Sequence, residues 1–193
     1  MIVPFGQTPI YINKVDNVQE HFDLLLPYIN DDSYWRRAEE WESKTQTTMG
    51  LESNQQLPWD KILPDVEKHL QEYLNIFSPI KAFGIETRPW LNRYEKGAWQ
   101  EQHNHLGART HFSMAYVIDS QSQSNFVFSD SGSNWYDYMG LNSYFQNWPK
   151  RTFVPDQESG TLFIFPSSVD HFVLPNTSDE YRITASANFY LQE

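Results

Sequence analysis

The hydrophobic positions follow a helical period in the first part of the chain and a strand-like pattern in the rest. Apolar residues recur three or four positions apart within 16–31 and 58–77, which is the spacing of one helix face. After residue 79, short apolar runs are separated by turn residues, a pattern typical of strands. We predict strands at 9–13, 80–97, 109–119, 125–130, 160–167 and 181–191.

Helices followed by many strands predict an α+β fold, in which the helices brace one side of a sandwich or barrel. We expect one domain over residues 1–193, with a helical support region at 1–79 and a strand core at 80–193. Residues 31–58 are polar and irregular. The long aromatic and polar segment 129–151 is predicted to form a lid, because loops of this length in compact domains are often binding loops.

The composition excludes several classes of function. A formal net charge of −11 disfavours binding to phosphate backbones and anionic membranes. The chain has no cysteine, so thiolate metal sites and a cysteine nucleophile are excluded. Its first residues lack the pattern of a signal peptide, and no apolar stretch approaches the ~20 residues of a membrane helix. We therefore expect a cytoplasmic protein without a nucleic-acid or membrane partner.

Three histidines are candidates for a metal site. His103 and His105 are two residues apart, so in an extended segment both rings point to the same face. His171, which we place in a turn after the apolar segment 160–167, is the best candidate for a third ligand. Imidazole suits Fe(II), Zn, Cu and Ni, so the ligand type alone does not select the metal. A pair at this spacing also arises by chance, and ordinary polar roles are the alternative.

The last predicted strand carries polar residues on one face. Arg182, Thr184, Ser186 and Asn188 alternate with apolar residues, so all four point the same way. If that face lines a barrel interior, Arg182 is a buried cation that requires an anion. A guanidinium beside a hydroxyl suits a carboxylate, which it can bind through paired hydrogen bonds.

These residues in this order resemble the 2-oxoglutarate/Fe(II)-dependent oxygenases, most closely a group found in phages and marine bacteria. The resemblance runs from about Pro89 to Leu191 and includes Trp90–x–Asn92 with Tyr94, then "HNH", "GTLFIFPSSVDHFVLPN" and "YRITASANF". It implies a double-stranded β-helix, or jelly roll, braced by the N-terminal helices. It also implies an enzyme that uses Fe(II), 2-oxoglutarate and O2 to hydroxylate an unreactive C–H bond, releasing succinate and CO2.

The resemblance also implies roles for single residues. His171 matches the distal iron ligand, and Arg182 with Thr184 matches the 2-oxoglutarate anchor, while Asn92 and Tyr94 are assigned to 2-oxoglutarate binding. The wider superfamily has an acid two residues after its first histidine, whereas this chain has His103–Asn104–His105. We prefer three histidine ligands.

Two other ligand sets stay open. The first has His105 and His171 alone, with Gly107 at the position of the acid and a site left for halide. The second takes a carboxylate from Glu101 or, less readily, from Asp170.

The substrate is expected to be a small molecule or a peptide. Two other functions stay open from the sequence. One is a cupin-like metal-dependent dioxygenase or isomerase that does not use 2-oxoglutarate. The other is a non-enzymatic β-sandwich module that binds ligands through aromatic residues of the 129–151 segment, such as Trp135 and Trp148.

Overall fold

The computed structural model describes residues 8–39, 41–43, 45–107, 110–121, 125–130 and 152–192. Two α-helices and eleven strands lie in these ranges. The helices are α1 (Val18–Ile29) and α2 (Trp59–Asn75). The strands are β1 (Tyr11–Lys14), β2 (Arg36–Arg37), β3 (Gln46–Thr47), β4 (Gly84–Tyr94), β5 (Gln100–His103), β6 (Phe112–Asp119), β7 (Phe126–Ser129), β8 (Thr152–Phe153), β9 (Thr161–Pro166), β10 (Asp170–Val173) and β11 (Arg182–Gln192).

The strands form two sheets. The larger has the order β1-β9-β6-β11-β4-β3-β2, and the smaller has the order β5-β10-β7-β8. All of the pairings are antiparallel. From β4 onward the chain passes repeatedly from one sheet to the other, which is the connectivity of a double-stranded β-helix. The predicted α+β jelly roll is therefore confirmed.

Both helices pack on the outer face of the larger sheet. The apolar stripe of α2, including Ile62, Val66 and Leu70, is buried against the odd-numbered residues of β11. Ala185 and Ala187 are the small members of that face and let the helices approach the sheet closely. Burying each large side chain in this layer contributes roughly 1.5–3 kcal/mol. Helix α1 continues through Pro27 as far as Ile29, so the proline shortens the predicted helix little.

The inner face of the larger sheet points toward the smaller sheet. A second apolar cluster, which includes Phe126, Phe163 and Phe165, fills part of this space. The polar residues of β11 lie on the same inner face, where Arg182 pairs in register with Tyr94, and Thr184 with Asn92. Directly opposite residues of an antiparallel pair share a face, so these four side chains meet between the sheets.

The structure adds strands where none was expected. The short strands β2 and β3 lie in the region expected to be irregular, and β5 and β8 also lie outside the predicted strands. The strand predicted at 9–13 is β1, which joins the larger sheet at its edge. The placement of His171 in a turn was wrong, because it lies on the four-residue strand β10. Strands of two to four residues are too short to show a period. Within the described ranges, neither helix combines the length and apolar character needed to cross a bilayer.

Candidate active site

A bulge in β5 brings His103 and His171 together. The two residues are paired across β5 and β10, but the next pair is Gln100 with Val173, so two residues of β5 (Glu101 and Gln102) oppose the single residue Phe172 of β10. An extra residue in one strand re-aims the side chains around it. As a result, both Gln100 and His103 line the space between the sheets. The Glu101 carboxylate lies elsewhere and accepts a hydrogen bond from the backbone N–H of Glu42 at 3.3 Å.

The three predicted histidines converge. One ligand atom from each of His103, His105 and His171 lies within 4.8 Å of the other two. The ring centroids are 4.3–5.3 Å apart. In a zinc-like site the metal–nitrogen bonds are ~2.0–2.1 Å long, so small ring movements would let one ion contact all three nitrogens.

Each of the three imidazoles donates its Nδ1–H to a fixed oxygen. His103 Nδ1 donates to the backbone oxygen of Glu101 at 2.7 Å, and His171 Nδ1 to that of Val169 at 2.9 Å. His105 Nδ1 lies 2.6 Å from Oδ1 of Asn188. A carbonyl oxygen can only accept, so the proton is on Nδ1 and Nε2 keeps its lone pair. Three neutral rings with free Nε2 atoms are the form in which histidine binds metals.

The carboxylate alternatives do not join this cluster. Asp170 precedes His171 on β10, so its side chain points to the opposite face, where it accepts hydrogen bonds from Asn104 at 2.8 Å and Gln102 at 3.3 Å. Gly107 lines the neighbouring cavity without offering a side chain. Among the residues that the structure describes, His103, His105 and His171 are the one group of histidine and acidic side chains close enough to hold an ion.

A buried hydrogen-bond network supports His105. Ser113 Oγ lies 3.0 Å from His105 Nδ1, donates to Asn188 Oδ1 at 3.0 Å, and lies 2.9 Å from Ser167 Oγ. The backbone N–H of His105 donates to the carbonyl oxygen of Ser167 at 2.8 Å. The alternation of β11 already placed Asn188 on the inner face. Ser167 lies in the quoted segment 160–176 but was given no role, and nothing in the sequence pointed to Ser113.

We predict that Asn188→Ala lowers the metal affinity of the protein by about 10–100-fold, the usual effect of removing a partner that orients a metal-binding histidine. Without the amide oxygen, the His105 ring loses the acceptor that fixes its tautomer. Asn188→Asp keeps an oxygen acceptor and should retain most of the affinity. Competition between the protein and a chelator for Co(II) measures the effect, and equal affinity of Asn188→Ala and the unmodified protein would contradict it.

Burial keeps His105 and His171 neutral. It lowers the pKa of His105 to about 4 and that of His171 well below its ordinary value, and the neighbouring histidines act in the same direction. The His171 ring contacts two phenyl rings, Phe126 stacked at 5.1 Å and Phe165 at 4.9 Å. These aromatic walls exclude the water that would stabilise an imidazolium.

The apoprotein should lose stability as the pH falls from about 6.5 to about 4. In this window an unfolded histidine binds a proton while the buried His105, with its pKa at about 4, does not. Each such group contributes a slope of at most about 1.4 kcal/mol per pH unit to the free energy of unfolding. We therefore expect His105→Gln to make the slope of the unfolding free energy against pH shallower by up to one proton. Urea denaturation in chelator between pH 7 and pH 4.5 measures the slopes, and an unchanged slope in His105→Gln would contradict the assignment.

Arg182 is a completely buried cation on the inner face of β11. Burial lowers its pKa to about 10, so it stays protonated at neutral pH. Tyr94 lies beside it and hydrogen-bonds to Thr184, and burial raises the pKa of Tyr94 to about 12. The Tyr94 hydroxyl therefore keeps its proton. The guanidinium, the phenol and the threonine hydroxyl form a buried group of donors that suits a carboxylate.

A cavity of about 480 Å³ lies beside the histidines. Asn92, Tyr94 and Ser186 line it, whereas Arg182 and Thr184 do not. The Asn92 amide donates to Ser186 Oγ at 3.1 Å, but its Oδ1 is buried and has no hydrogen-bond partner among the described residues. Exchanging the amide oxygen and nitrogen would leave an N–H in that position instead. In either orientation, one polar atom of Asn92 remains for a ligand.

The outer part of the cavity is largely aromatic. Trp41 and Met49, from the region before α2, face this space together with Trp90 and Tyr190, and Arg88 also lines it. Neither Trp41 nor Met49 was expected at the site, because nothing in the local sequence relates them to the histidines. Apart from its first two residues, the predicted lid at 129–151, including Trp135 and Trp148, lies outside the described residues.

Comparisons with known proteins identify the family. Residues 88–188, just over half of the chain, match the family described as "Putative 2OG-Fe(II) oxygenase". Sequence comparison with curated proteins gives no match. The chain therefore belongs to the 2OG-Fe(II) oxygenases. It is a 2-oxoglutarate- and Fe(II)-dependent oxygenase, and family membership sets aside the cupin-like enzyme and the non-enzymatic binding module.

Solved structures share the fold at low sequence identity. A Pseudomonas putida prolyl-4-hydroxylase is 13% identical with a TM-score of 0.61, over 95% of this chain and 92% of that one. A Trichoplax adhaerens prolyl hydroxylase, in complex with a hypoxia inducible factor peptide fragment, is 9% identical with a TM-score of 0.63, over 94% and 83%. The epimerase SnoN, in complex with Fe3+, alpha ketoglutarate and nogalamycin RO, is 13% identical with a TM-score of 0.62, over 95% and 79%.

Proposed function

We propose that His103, His105 and His171 hold the Fe(II) of this oxygenase, and that Arg182 anchors 2-oxoglutarate. The observation that carries the proposal is the convergence of three histidines, each of which donates a hydrogen bond from Nδ1 to an oxygen and so leaves Nε2 as the ligand atom. The chemistry of this donor set fits iron, since neutral imidazole is a good ligand for Fe(II). When bound, iron and 2-oxoglutarate supply the redox chemistry that couples O2 reduction to substrate oxidation, releasing succinate and CO2.

Among the described residues no carboxylate joins the three histidines, and this has an electrostatic consequence. Three neutral imidazoles would leave the full 2+ charge of the ion, whereas a carboxylate ligand would reduce it. Attraction between the ion and an anionic chelating ligand is therefore stronger here than in a site with an acid. This supports 2-oxoglutarate, whose keto-acid end is anionic, as the co-ligand of the metal.

The residues around Arg182 fit the other end of 2-oxoglutarate. The guanidinium, Tyr94 and Thr184 are buried together, so a carboxylate here would meet charged and neutral donors away from water. Asn92 lines the cavity and keeps one polar atom unpartnered among the described residues, which supports a contact with the ligand. Its role and those of Tyr94 and Thr184 are part of the proposal.

The aromatic part of the cavity is proposed to take a small molecule or an exposed side chain of a peptide. Trp41, Trp90 and Tyr190 offer flat apolar surfaces, and Arg88 adds a positive charge. Peptide and small-molecule ligands are both represented among structures of the same fold. Hydroxylation of a C–H bond is the reaction that we propose. The cytoplasmic location, the likeness to phage and marine bacterial enzymes, and the absence of nucleic-acid binding stay predictions.

Succinate formation tests the proposed function. The protein is incubated with Fe(II), 2-oxoglutarate and O2, alone and with pools of peptides and small metabolites, and succinate is measured together with any gain of one oxygen atom in the added compounds. We expect slow turnover alone and faster turnover with a substrate, and no turnover in His171→Ala. Oxidation of a substrate without consumption of 2-oxoglutarate would overturn the proposal.

A further inference from the structure

The side chain of Gln157 contacts the buried guanidinium of Arg182. Its Oε1 accepts a hydrogen bond from Arg182 Nη2 at 3.0 Å and from the backbone N–H of Phe126 at 2.8 Å. Its Nε2 donates to the backbone oxygen of Phe126 at 3.2 Å. A backbone N–H can only donate and a backbone oxygen can only accept. The orientation of the Gln157 amide is therefore determined, with its oxygen toward Arg182.

The partner that Gln157 offers is neutral. An amide oxygen accepts a hydrogen bond and orients the guanidinium without cancelling its charge. A carboxylate of nearly the same shape at this position would form an internal ion pair with Arg182, and the attraction between opposite charges is strong in a buried site. Replacing Gln157 by Glu would therefore reduce the positive charge that Arg182 offers to a ligand.

The same amide connects Arg182 to the metal side of the cavity. Gln157 hydrogen-bonds to both backbone groups of Phe126, and the Phe126 ring stacks on His171 at 5.1 Å. Phe126 also lines the cavity. One neutral side chain therefore sets the position of Arg182 relative to the strand that packs against a histidine of the candidate metal site.

We propose that Gln157 is a positioning residue for 2-oxoglutarate. It holds the Arg182 guanidinium in place for the distal carboxylate and leaves the positive charge for that carboxylate. The inference rests on the proposed function, because it takes Arg182 as the 2-oxoglutarate anchor. Nothing in the sequence pattern distinguished Gln157, which lies in the turn-rich segment between β8 and β9.

The test compares Gln157→Glu with Gln157→Ala in the full chain loaded with Mn(II). Binding of 2-oxoglutarate is measured by calorimetry, and stability by thermal unfolding. We expect Gln157→Glu to raise the Kd for 2-oxoglutarate by about tenfold or more, because the new carboxylate competes for Arg182. This variant gains an ion pair with Arg182 but loses the N–H that donates to the backbone oxygen of Phe126, so its unfolding temperature should lie above that of Gln157→Ala. Gln157→Ala should weaken binding less but unfold at a lower temperature.

Three controls define the result. Gln71→Glu adds the same charge on an exposed position of α2 and should leave 2-oxoglutarate binding unchanged. Oxalate, which chelates the metal but has no distal carboxylate, should bind to all the variants with similar affinity. Arg182→Ala shows whether the arginine is the anchor at all.

The outcomes separate this inference from the proposed function. Weak binding by Arg182→Ala together with normal binding by Gln157→Glu overturns the role of Gln157 alone. Equal loss of affinity and of stability in both Gln157 variants also overturns it, since a merely structural contact would behave in this way. Normal binding by Arg182→Ala overturns the anchor itself, and with it the inference.

Discussion

Replacing His171 by alanine is expected to abolish stable metal binding. His171 is 3% exposed, and its ring is close to both other histidines, so its loss removes one of three candidate ligands from the interior of the site. Removing a residue that merely orients a ligand costs about 10–100-fold in metal affinity, and we expect the loss of a ligand to exceed this. Metal content after dialysis and Co(II) titration measure the effect, and 2-oxoglutarate turnover should disappear with it.

The matched control for this variant is His111→Ala. His111 is exposed and accepts a hydrogen bond from the backbone N–H of Leu191 at 3.1 Å. It should retain full metal affinity. Thermal unfolding in the presence of a chelator shows whether each apoprotein is folded. A folded His171→Ala protein with unchanged metal affinity would remove this histidine from the metal site.

Replacing Arg182 is expected to have the second largest effect, on 2-oxoglutarate rather than on the metal. Arg182→Ala should weaken 2-oxoglutarate binding by about 2–5 kcal/mol, because a carboxylate would be left buried without its charged partner. Arg182→Lys should have a smaller effect, since it keeps the charge but loses the paired hydrogen bonds. The measurement is titration of the Fe(II) protein with 2-oxoglutarate under argon, followed by the weak charge-transfer band of the complex.

Metal affinity should survive both changes, because Arg182 is not among the grouped ligands. Arg182→Met, which keeps most of the side-chain volume, separates loss of charge from the creation of a cavity. Arg37→Ala removes an arginine from an exposed position and should bind 2-oxoglutarate normally. Normal binding by a folded Arg182→Met protein would contradict the anchor assignment.

The long elements of the fold could be predicted because each has a period. The apolar stripe of α2 and the strict alternation of β11 reflect packing on one face, and both are visible within a single segment. Strand β10 could not be found in this way, because its four residues lie between Pro-Ser-Ser and Pro-Asn and show no clear alternation. Its position depends on pairing with β5 and β7, which are distant in the sequence.

In the candidate site, too, some features follow from one segment of the sequence and others depend on contacts between distant segments. The face shared by Arg182, Thr184 and Asn188 follows from local alternation, and the family motif pointed to His171. The β5 bulge that turns Glu101 away from the histidines depends on register with another strand, which no local pattern reveals. Trp41 and Met49 reach the cavity only because β3 pairs with β4 at the side of the larger sheet. Such positions are set by tertiary contacts, which a single sequence does not display.

The pairing of β4 with β11 has a consequence for how the protein folds. The strand that carries Asn92 and Tyr94 forms its ladder with the strand that carries Arg182, from the far end of the described chain. Closing so long a loop lowers the chain entropy before the stabilising contacts between the two strands have formed. Domains dominated by such non-local pairing fold slowly, in about milliseconds to seconds. During synthesis His103 and His105 emerge before His171 on β10, and Arg182 emerges later still. The proposed metal and 2-oxoglutarate sites can therefore assemble only after nearly all of the described strands have been made.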